Sequence, residues 1–311
     1  MDSLHLVDPS LRPLLDVIPA ISLSADILPA MRGRESMLPP ADPTLASVEV
    51  HSVPGPAGAP AVDLHVYRPV GATGILPCVY HIHGGGFVMG RVADYDPLLR
   101  PLVADLQCAL VSVEYRLAPE TNFPGPVEDC YAGLAWTIAH AARLGIDPAR
   151  IGVMGQSAGG GYAAALALMV RDRGAFSLAF QHLIYPMLDD RTGTRDLHPH
   201  AGEFIWTAQS NRFGWGALLG HAPGTEEVSP YAAPARATDL TGLPPAYVAT
   251  GALDLFVEED VAYATRLIRA GVPTELHVYP GGYHAFDVIA DGPVSRQARH
   301  DSREALRRAL A

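Results

Sequence analysis

The chain has 311 residues, 49% of them hydrophobic and 18% charged, with a formal net charge of −11 when histidines are neutral. That composition belongs to a chain able to bury a large core, and it excludes a disordered one. The acidic balance, with basic residues scattered, argues against nucleic acid and against stable association with anionic membranes.

No apolar run approaches the roughly 18–20 residues that a membrane span needs. Residues 1–16 carry acids and prolines rather than a basic stretch followed by an apolar one, so no secretory signal is expected and a cytoplasmic location is. Residues 1–45 read as two short helices broken by prolines, one starting near Asp8-Pro9 and one near Ser24. Two strand-like segments follow at 47–53 and 62–68, joined by a proline- and glycine-rich loop of hairpin composition. From Leu76 onward, short apolar runs at 76–83, 108–115, 150–155 and 178–186 alternate with helix-period segments at 97–106, 127–144 and 158–171. Unalternated strands interleaved with helices predict an α/β fold, a mostly parallel central sheet flanked by helices.

Residues 187–225 hold no strand-like run but carry Phe204, Trp206, Phe213 and Trp215, which points to an inserted helical cap. The alternative is a surface excursion whose aromatics only pack on the core. Strands at 244–251 and 275–280, a helix at 258–270 and a terminal helix from about 294 complete the pattern. The expected division is 1–45 as an N-terminal part of the cap, 46–186 as the first part of the core, 187–225 as the cap insertion and 226–311 as the second part. Cys78, Cys108 and Cys130 lie in strand-like or helical segments without metal-ligand spacing; buried unpaired thiols are expected, and no metal site.

Chemistry in open α/β sheets gathers at the carboxyl ends of strands. Gly155-Gln156-Ser157-Ala158-Gly159 lies between a buried strand and an apolar helix, the pattern of a nucleophile on a sharp strand-to-helix turn. Upstream, a strand runs into His83-Gly84-Gly85-Gly86-Phe87, whose glycines allow backbone N–H groups to face a developing oxyanion. His83 reads as a loop-fixing side chain. A serine alkoxide needs a base and the base an orienting acid. Of the 13 histidines, His284 is the one in a loop at the end of a late strand, before the terminal helix. Asp254 follows the strand at 244–251; Glu258, the alternative acid, starts the next helix with Glu259 and Asp260, where carboxylates suit the helix dipole. Ser157, Asp254 and His284 are therefore the candidate catalytic residues, in the chain order Ser, Asp, His. No cofactor is required by such chemistry.

These motifs, with "EYRLAPE" at 114–120 and "GQSAGGG" at 155–161, resemble the hormone-sensitive-lipase-like (family IV) bacterial esterases, and the wording of 113–134 and 229–250 is similar to the heroin-esterase branch. The resemblance covers most of the chain. It implies an α/β-hydrolase fold with a two-part cap, and a serine carboxylesterase cleaving short acyl, above all acetyl, esters of small-molecule substrates. It also implies oxyanion donors at Gly85, Gly86 and Ala158, and a homodimer through the edge strand near 274–279 is frequent among such relatives. Phe87, Trp206, Phe213 and Trp215 are the candidate substrate-binding residues. Three positions depart from the family pattern: Gln156 for a frequent Asp, Leu255-Phe256 for Pro-Leu after Asp254, and Ala285 for a frequent Gly. Arg116 and Glu120 are expected to form a buried ion pair, with Asp129 anchoring a helix to a loop. Amide or lactone hydrolysis by the same residues, or a non-catalytic ligand receptor like the plant gibberellin receptors, are the competing readings; the receptors of that family lack the histidine that His284 supplies.

Overall fold

The computed structural model describes residues 3–18, 22–34, 38–194 and 198–311. Eight strands form one sheet: β1 (Ala46–Val53), β2 (Val62–Pro69), β3 (Leu76–Ile82), β4 (Ala109–Glu114), β5 (Ile146–Gln156), β6 (Gln181–Ile184), β7 (Ala246–Gly251) and β8 (Thr274–Tyr279). Their spatial order is β1-β2-β4-β3-β5-β6-β7-β8. The hairpin β1–β2 is antiparallel and joins β4 antiparallel; every later pairing is parallel.

The helices are α1 (Arg12–Leu15), α2 (Leu28–Arg32), α3 (Val92–Leu106), α4 (Gly125–Ala139), α5 (Ala141–Leu144), α6 (Ala158–Arg173), α7 (Ala208–Leu219), α8 (Val257–Arg269), α9 (Phe286–Ile289) and α10 (Pro293–Leu310). Side-chain alternation along the strands sorts the core onto two faces. Cys78, Tyr80 and Ile82 pack with α4 and α6 residues on one side, while Val79, Leu110 and Met154 pack with Leu99 and Leu306 on the other. Both faces of the central strands are covered, which is why these strands are continuously apolar in sequence. Helix α6 is buried all round from Ala158 to Val170, and its small residues let it lie close to β5 and β6.

The strand order reverses at β3. The chain passes from β3 to β4 on one side and then crosses to β5 on the other, so the loops after β3 and β5 emerge side by side. That switch point is where an open α/β sheet leaves a crevice.

Several boundaries differ from the sequence expectation. α3 begins at Val92, not near Pro97, because Glu114 Oε2 accepts a hydrogen bond from Val92 N (2.9 Å) and supplies the N-terminal partner. The expected helix at 127–144 is two helices broken at His140, whose ring binds the Trp136 carbonyl (2.8 Å). The N-terminal helices start later than expected: Asp8 Oδ1 accepts from Ser10 N (2.9 Å) in a turn, and α1 and α2 begin only at Arg12 and Leu28. The expected Arg116–Glu120 pair does not form. Arg116 makes a two-pronged contact with buried Asp129 (2.7 Å on each prong), while exposed Glu120 pairs with Arg32 (2.7 Å). The α4 carboxylate also accepts from Arg116 N (3.2 Å), so Asp129 does anchor helix to loop as expected. The three cysteines are free and buried. Among the described residues no helix is long and apolar enough to cross a membrane.

His182, in β6, stacks on Tyr247 and binds Ser302 Oγ of α10 (2.8 Å). Burial pushes its imidazole down to about 3, so below the ordinary imidazole range the unfolded chain binds a proton that the folded chain refuses. Its contribution to stability is complete above about pH 6.5 and is lost as pH falls toward the folded value. Urea unfolding at pH 7 and pH 5 should therefore give a difference about 2 kcal/mol smaller in His182→Gln than in the parent; an unchanged difference would contradict a neutral buried His182.

Candidate active site

Ser157 is the residue between β5 and α6. Its backbone is left-handed (φ 56°, ψ −124°), a conformation that costs a non-glycine residue roughly 1–3 kcal/mol. The surrounding bonds fix it there: Ser157 N donates to Ile184 O (2.9 Å), and its carbonyl accepts from Gly161 N and Met187 N (3.0 Å each). The turn closes only because Gly155 and Gly159 touch; a Cβ on Gly155 would collide with the Gly159 backbone, and one on Gly159 with the Ile82 carbonyl. The sharp turn lifts Ser157 Oγ above the sheet at the N-terminus of the 16-residue helix α6, where the helix dipole favours negative charge.

Asp254 follows β7, and His284 lies in the loop after β8. His284 Nε2 is 3.0 Å from Ser157 Oγ and its Nδ1 is 2.8 Å from Asp254 Oδ2. A carboxylate only accepts, so the imidazole donates from Nδ1 and its Nε2 accepts from the serine hydroxyl. All three side chains are buried. The second carboxylate oxygen of Asp254 accepts from Phe256 N (3.0 Å), so the acid loop is braced without the proline absent at 255. The imidazole is wedged edge-to-face between Tyr185 (4.9 Å) and Phe256 (5.3 Å). Ala285 has φ 61°, which accounts in physical terms for a glycine often standing there. The loop is tied down by Leu253 N donating to Gly282 O (2.8 Å) and by Tyr283 Oη donating to Leu11 O (3.1 Å).

The loop after β3 stands opposite. His83 is buried, stacks on Tyr115 at 4.2 Å and donates from Nδ1 to Gly84 O (2.8 Å), the loop-fixing part expected of it. Burial pushes its pKa down to about 4. Gly84 N donates to Tyr95 Oη (2.9 Å), and Gly85 O accepts from Val88 N and Met89 N. Gly85 needs φ 126°, and a Cβ there would strike the Met89 carbonyl. Among the described residues nothing accepts a hydrogen bond from the N–H groups of Gly85, Gly86 or Ala158. Gln156 Oε1 accepts from His81 Nε2 (3.0 Å), and His81 Nδ1 meets Ser112 Oγ (2.8 Å). Burial holds His81 down to about 3; a neutral amide at 156 suits that uncharged ring.

A cavity of about 520 Å³ opens over these groups, reached by Gly85, Gly86, Ser157 and His284 and walled by Met31, Ile205 and Trp206 among others. Of the four aromatic residues expected to bind substrate, Trp206 lines this cavity. Phe87 and Trp215 do not: both are fully buried and pack against each other at 4.9 Å beneath the loop. Phe213 lies in the wall of a separate surface depression beside Arg32 and Glu120. Phe204 packs on Tyr283. Tyr95 and Tyr185, which no sequence motif marks, do line the cavity. Tyr185 stands directly after β6, and that strand-end position was the available signal. Of the acids at the start of α8, only Glu258 is exposed; Glu259 is buried and accepts from Leu188 N (2.6 Å), and Asp260 is fully buried. Burial raises both carboxyls well above the usual range, an environment unlike that of the exposed carboxylates that favour a helix dipole. Among the described residues no three His, Cys, Asp or Glu side chains converge as a metal site.

A parallel-rich sheet with this strand order, a left-handed serine after β5 and a histidine after the last strand defines the α/β-hydrolase class. A family model described as alpha/beta hydrolase fold matches residues 79–288. The chain is 36% identical to carboxylesterase NlhH of Mycobacterium tuberculosis, over 98% of this chain and 96% of that one. Its structure superimposes on that of bacterial heroin esterase with a TM-score of 0.92, at 40% identity over 99% of both chains. It superimposes on esterase LipW from Mycobacterium marinum with a TM-score of 0.84, at 30% identity over 99% of this chain and 97% of that one. The chain belongs to the α/β-hydrolase-fold family, in its hormone-sensitive-lipase-like branch.

A serine hydrogen-bonded to a buried, oriented imidazole should be far more reactive than a free hydroxyl. A fluorophosphonate probe is expected to label one residue, Ser157, with labelling abolished in Ser157→Ala and slowed at least about 100-fold in His284→Gln. Labelling at another serine would contradict the assignment.

Proposed function

We propose that this chain is a serine carboxylesterase working through a covalent acyl-enzyme. Ser157 Oγ attacks the acyl carbon while His284 Nε2 takes its proton, and Asp254 holds the imidazole and stabilises its charged form. The N–H groups of Gly85, Gly86 and Ala158 receive the oxyanion, which preorganised donors stabilise by roughly 3–4 kcal/mol each in comparable sites. His284 then protonates the departing alcohol, and on the return step activates a water that releases the acid and restores Ser157. The observation that carries this reading is the unbroken Ser157–His284–Asp254 hydrogen-bond chain at one end of the cavity. The carboxylesterase and esterase names of relatives spanning nearly the whole chain support it.

Short acyl groups, acetyl foremost, are the proposed acyl part. Trp206 stands so close to Gly86 that even a methyl group on that glycine would meet its ring, which narrows the space beside the oxyanion donors. The described parts of 1–45 and 187–225 are proposed as a two-part cap. Leu23 N donates to Ser210 Oγ across them (2.9 Å), and both supply cavity walls. The free, buried cysteines fit a reducing, cytoplasmic setting.

Ser157→Ala should lower kcat/KM on 4-nitrophenyl acetate by about 10⁴-fold or more while leaving the thermal midpoint within a few degrees; retained turnover would refute the mechanism. Because the base must be unprotonated to take the serine proton, kcat/KM should fall on acidification while the protein is still folded. A profile that stays flat until the protein unfolds would exclude His284 as the base. Across 4-nitrophenyl esters from acetate to decanoate, the optimum is expected at the short end.

A further inference from the structure

The walls of the catalytic cavity are largely apolar, with Leu14, Ile18, Met31, Ile205, Trp206 and Ile289 among them. Besides His284, two ionisable charged side chains reach it among the described residues, Arg34 and Asp94. They are not equivalent. Asp94 is neutralised by Arg91, whose Nη2 stands 2.9 Å from Asp94 Oδ1. Arg34 has no carboxylate partner and no side-chain hydrogen bond among the described residues, whereas the neighbouring Arg32 is fully engaged. Arg32 donates to Val88 O (2.7 Å) and Ala118 O (2.8 Å) and grips Glu120 with two prongs. That clamp fixes the end of α2 against the core, and Gly33 N caps it by donating to Pro29 O (3.1 Å). The next residue is therefore delivered to the cavity mouth by a fixed element. An always-protonated guanidinium there, with five donors and no partner among the described residues, is available to whatever enters. On a chain of net charge −11, the general field repels anions, so a local cation at the entrance has a selective effect that the surface as a whole does not.

We infer that Arg34 is a specificity-determining residue that favours esters carrying an anionic group, such as a carboxylate, away from the scissile bond. This rests on the esterase reading of the same cavity. The guanidinium accepts the remote anion in a two-pronged contact while the apolar walls take the body of the substrate, and Ser157 remains free to reach the ester carbon. Arg34 touches neither reacting atom nor the oxyanion, so its effect falls on KM and not on kcat.

The test uses two matched pairs. One carries the anion on the leaving alcohol, 4-acetoxybenzoate against its methyl ester; the other carries it on the acyl part, mono-4-nitrophenyl glutarate against 4-nitrophenyl valerate. In low salt, Arg34→Gln should raise KM about five-fold for the anionic member of one pair while the neutral members stay within about two-fold, and Arg34→Lys should retain part of the preference. The difference should shrink in 0.5 M NaCl, because the mouth is open to solvent screening. The pair that responds tells which side of the ester faces Arg34. Equal KM changes for anionic and neutral members, or none in either pair, would overturn the inference. Equilibrium binding of the anionic member of the responding pair to Ser157→Ala, with and without Arg34→Gln, reads the same contact without turnover: a weaker complex in the double variant is expected, and equal affinity would also overturn the inference. Neutral-ester turnover by the parent separately reports on the esterase reading.

Discussion

The contact between Gly155 and Gly159 is the constraint on which the site depends. Two backbones meet there with no room for a Cβ, and only that approach lets β5 end and α6 begin within one residue. The residue in between is forced to φ 56°, a strained conformation held by bonds to Ile184, Gly161 and Met187. The strain presents the serine hydroxyl above the sheet instead of within it. The same closeness brings the start of α6 against the loop that follows β3, because β3 and β5 are paired neighbours with Ile82 opposite Gly155 and Gly159 lies against the Ile82 and His83 backbone. One tight turn thus sets both the position of the hydroxyl and its distance from that glycine loop.

The imidazole is held by longer-range means. β8 lies at the edge of the sheet, three strands away from β5, so its loop must reach back across the ends of β6 and β7. Hydrogen bonds from Leu253 and Asp8 to the 281–282 backbone and from Tyr283 to Leu11 fix that reach. Two aromatic rings then set the plane of His284. Asp254, fully buried, has its two oxygens committed to His284 and Phe256. Losing one partner of such a buried set leaves the other uncompensated, which is why each member constrains the rest.

Much of this was legible in the sequence because local patterns carried it. Continuous apolar strands interleaved with helices gave the layered sheet, and glycines around Ser157 and before Phe87 marked turns that only small residues permit. Asp254 and His284 were readable from their positions after late strands. What could not be read were contacts decided by tertiary geometry. Arg116 had Glu120 four residues away, yet the buried carboxylate of Asp129 lay in better reach, and Glu120 was taken by Arg32 from a distant helix. Phe87, Phe213 and Trp215 share the chemistry of pocket aromatics with Trp206, but side-chain direction turned two of them into the core and one toward another depression. The buried acids Glu259 and Asp260 resembled dipole-stabilising carboxylates because burial leaves no mark in a short sequence window.

The proposed mechanism requires Ser157 to become covalently acylated. Rapid mixing with excess 4-nitrophenyl acetate, quenching in acid and mass analysis of the proteolytic peptides tests this directly. One acetyl group is predicted on the peptide containing Ser157, accumulating with a burst of nitrophenol close to one equivalent of enzyme. Ester turnover that proceeds with that peptide unmodified throughout, and with no burst when deacylation is slowed by lowering the pH, would contradict it.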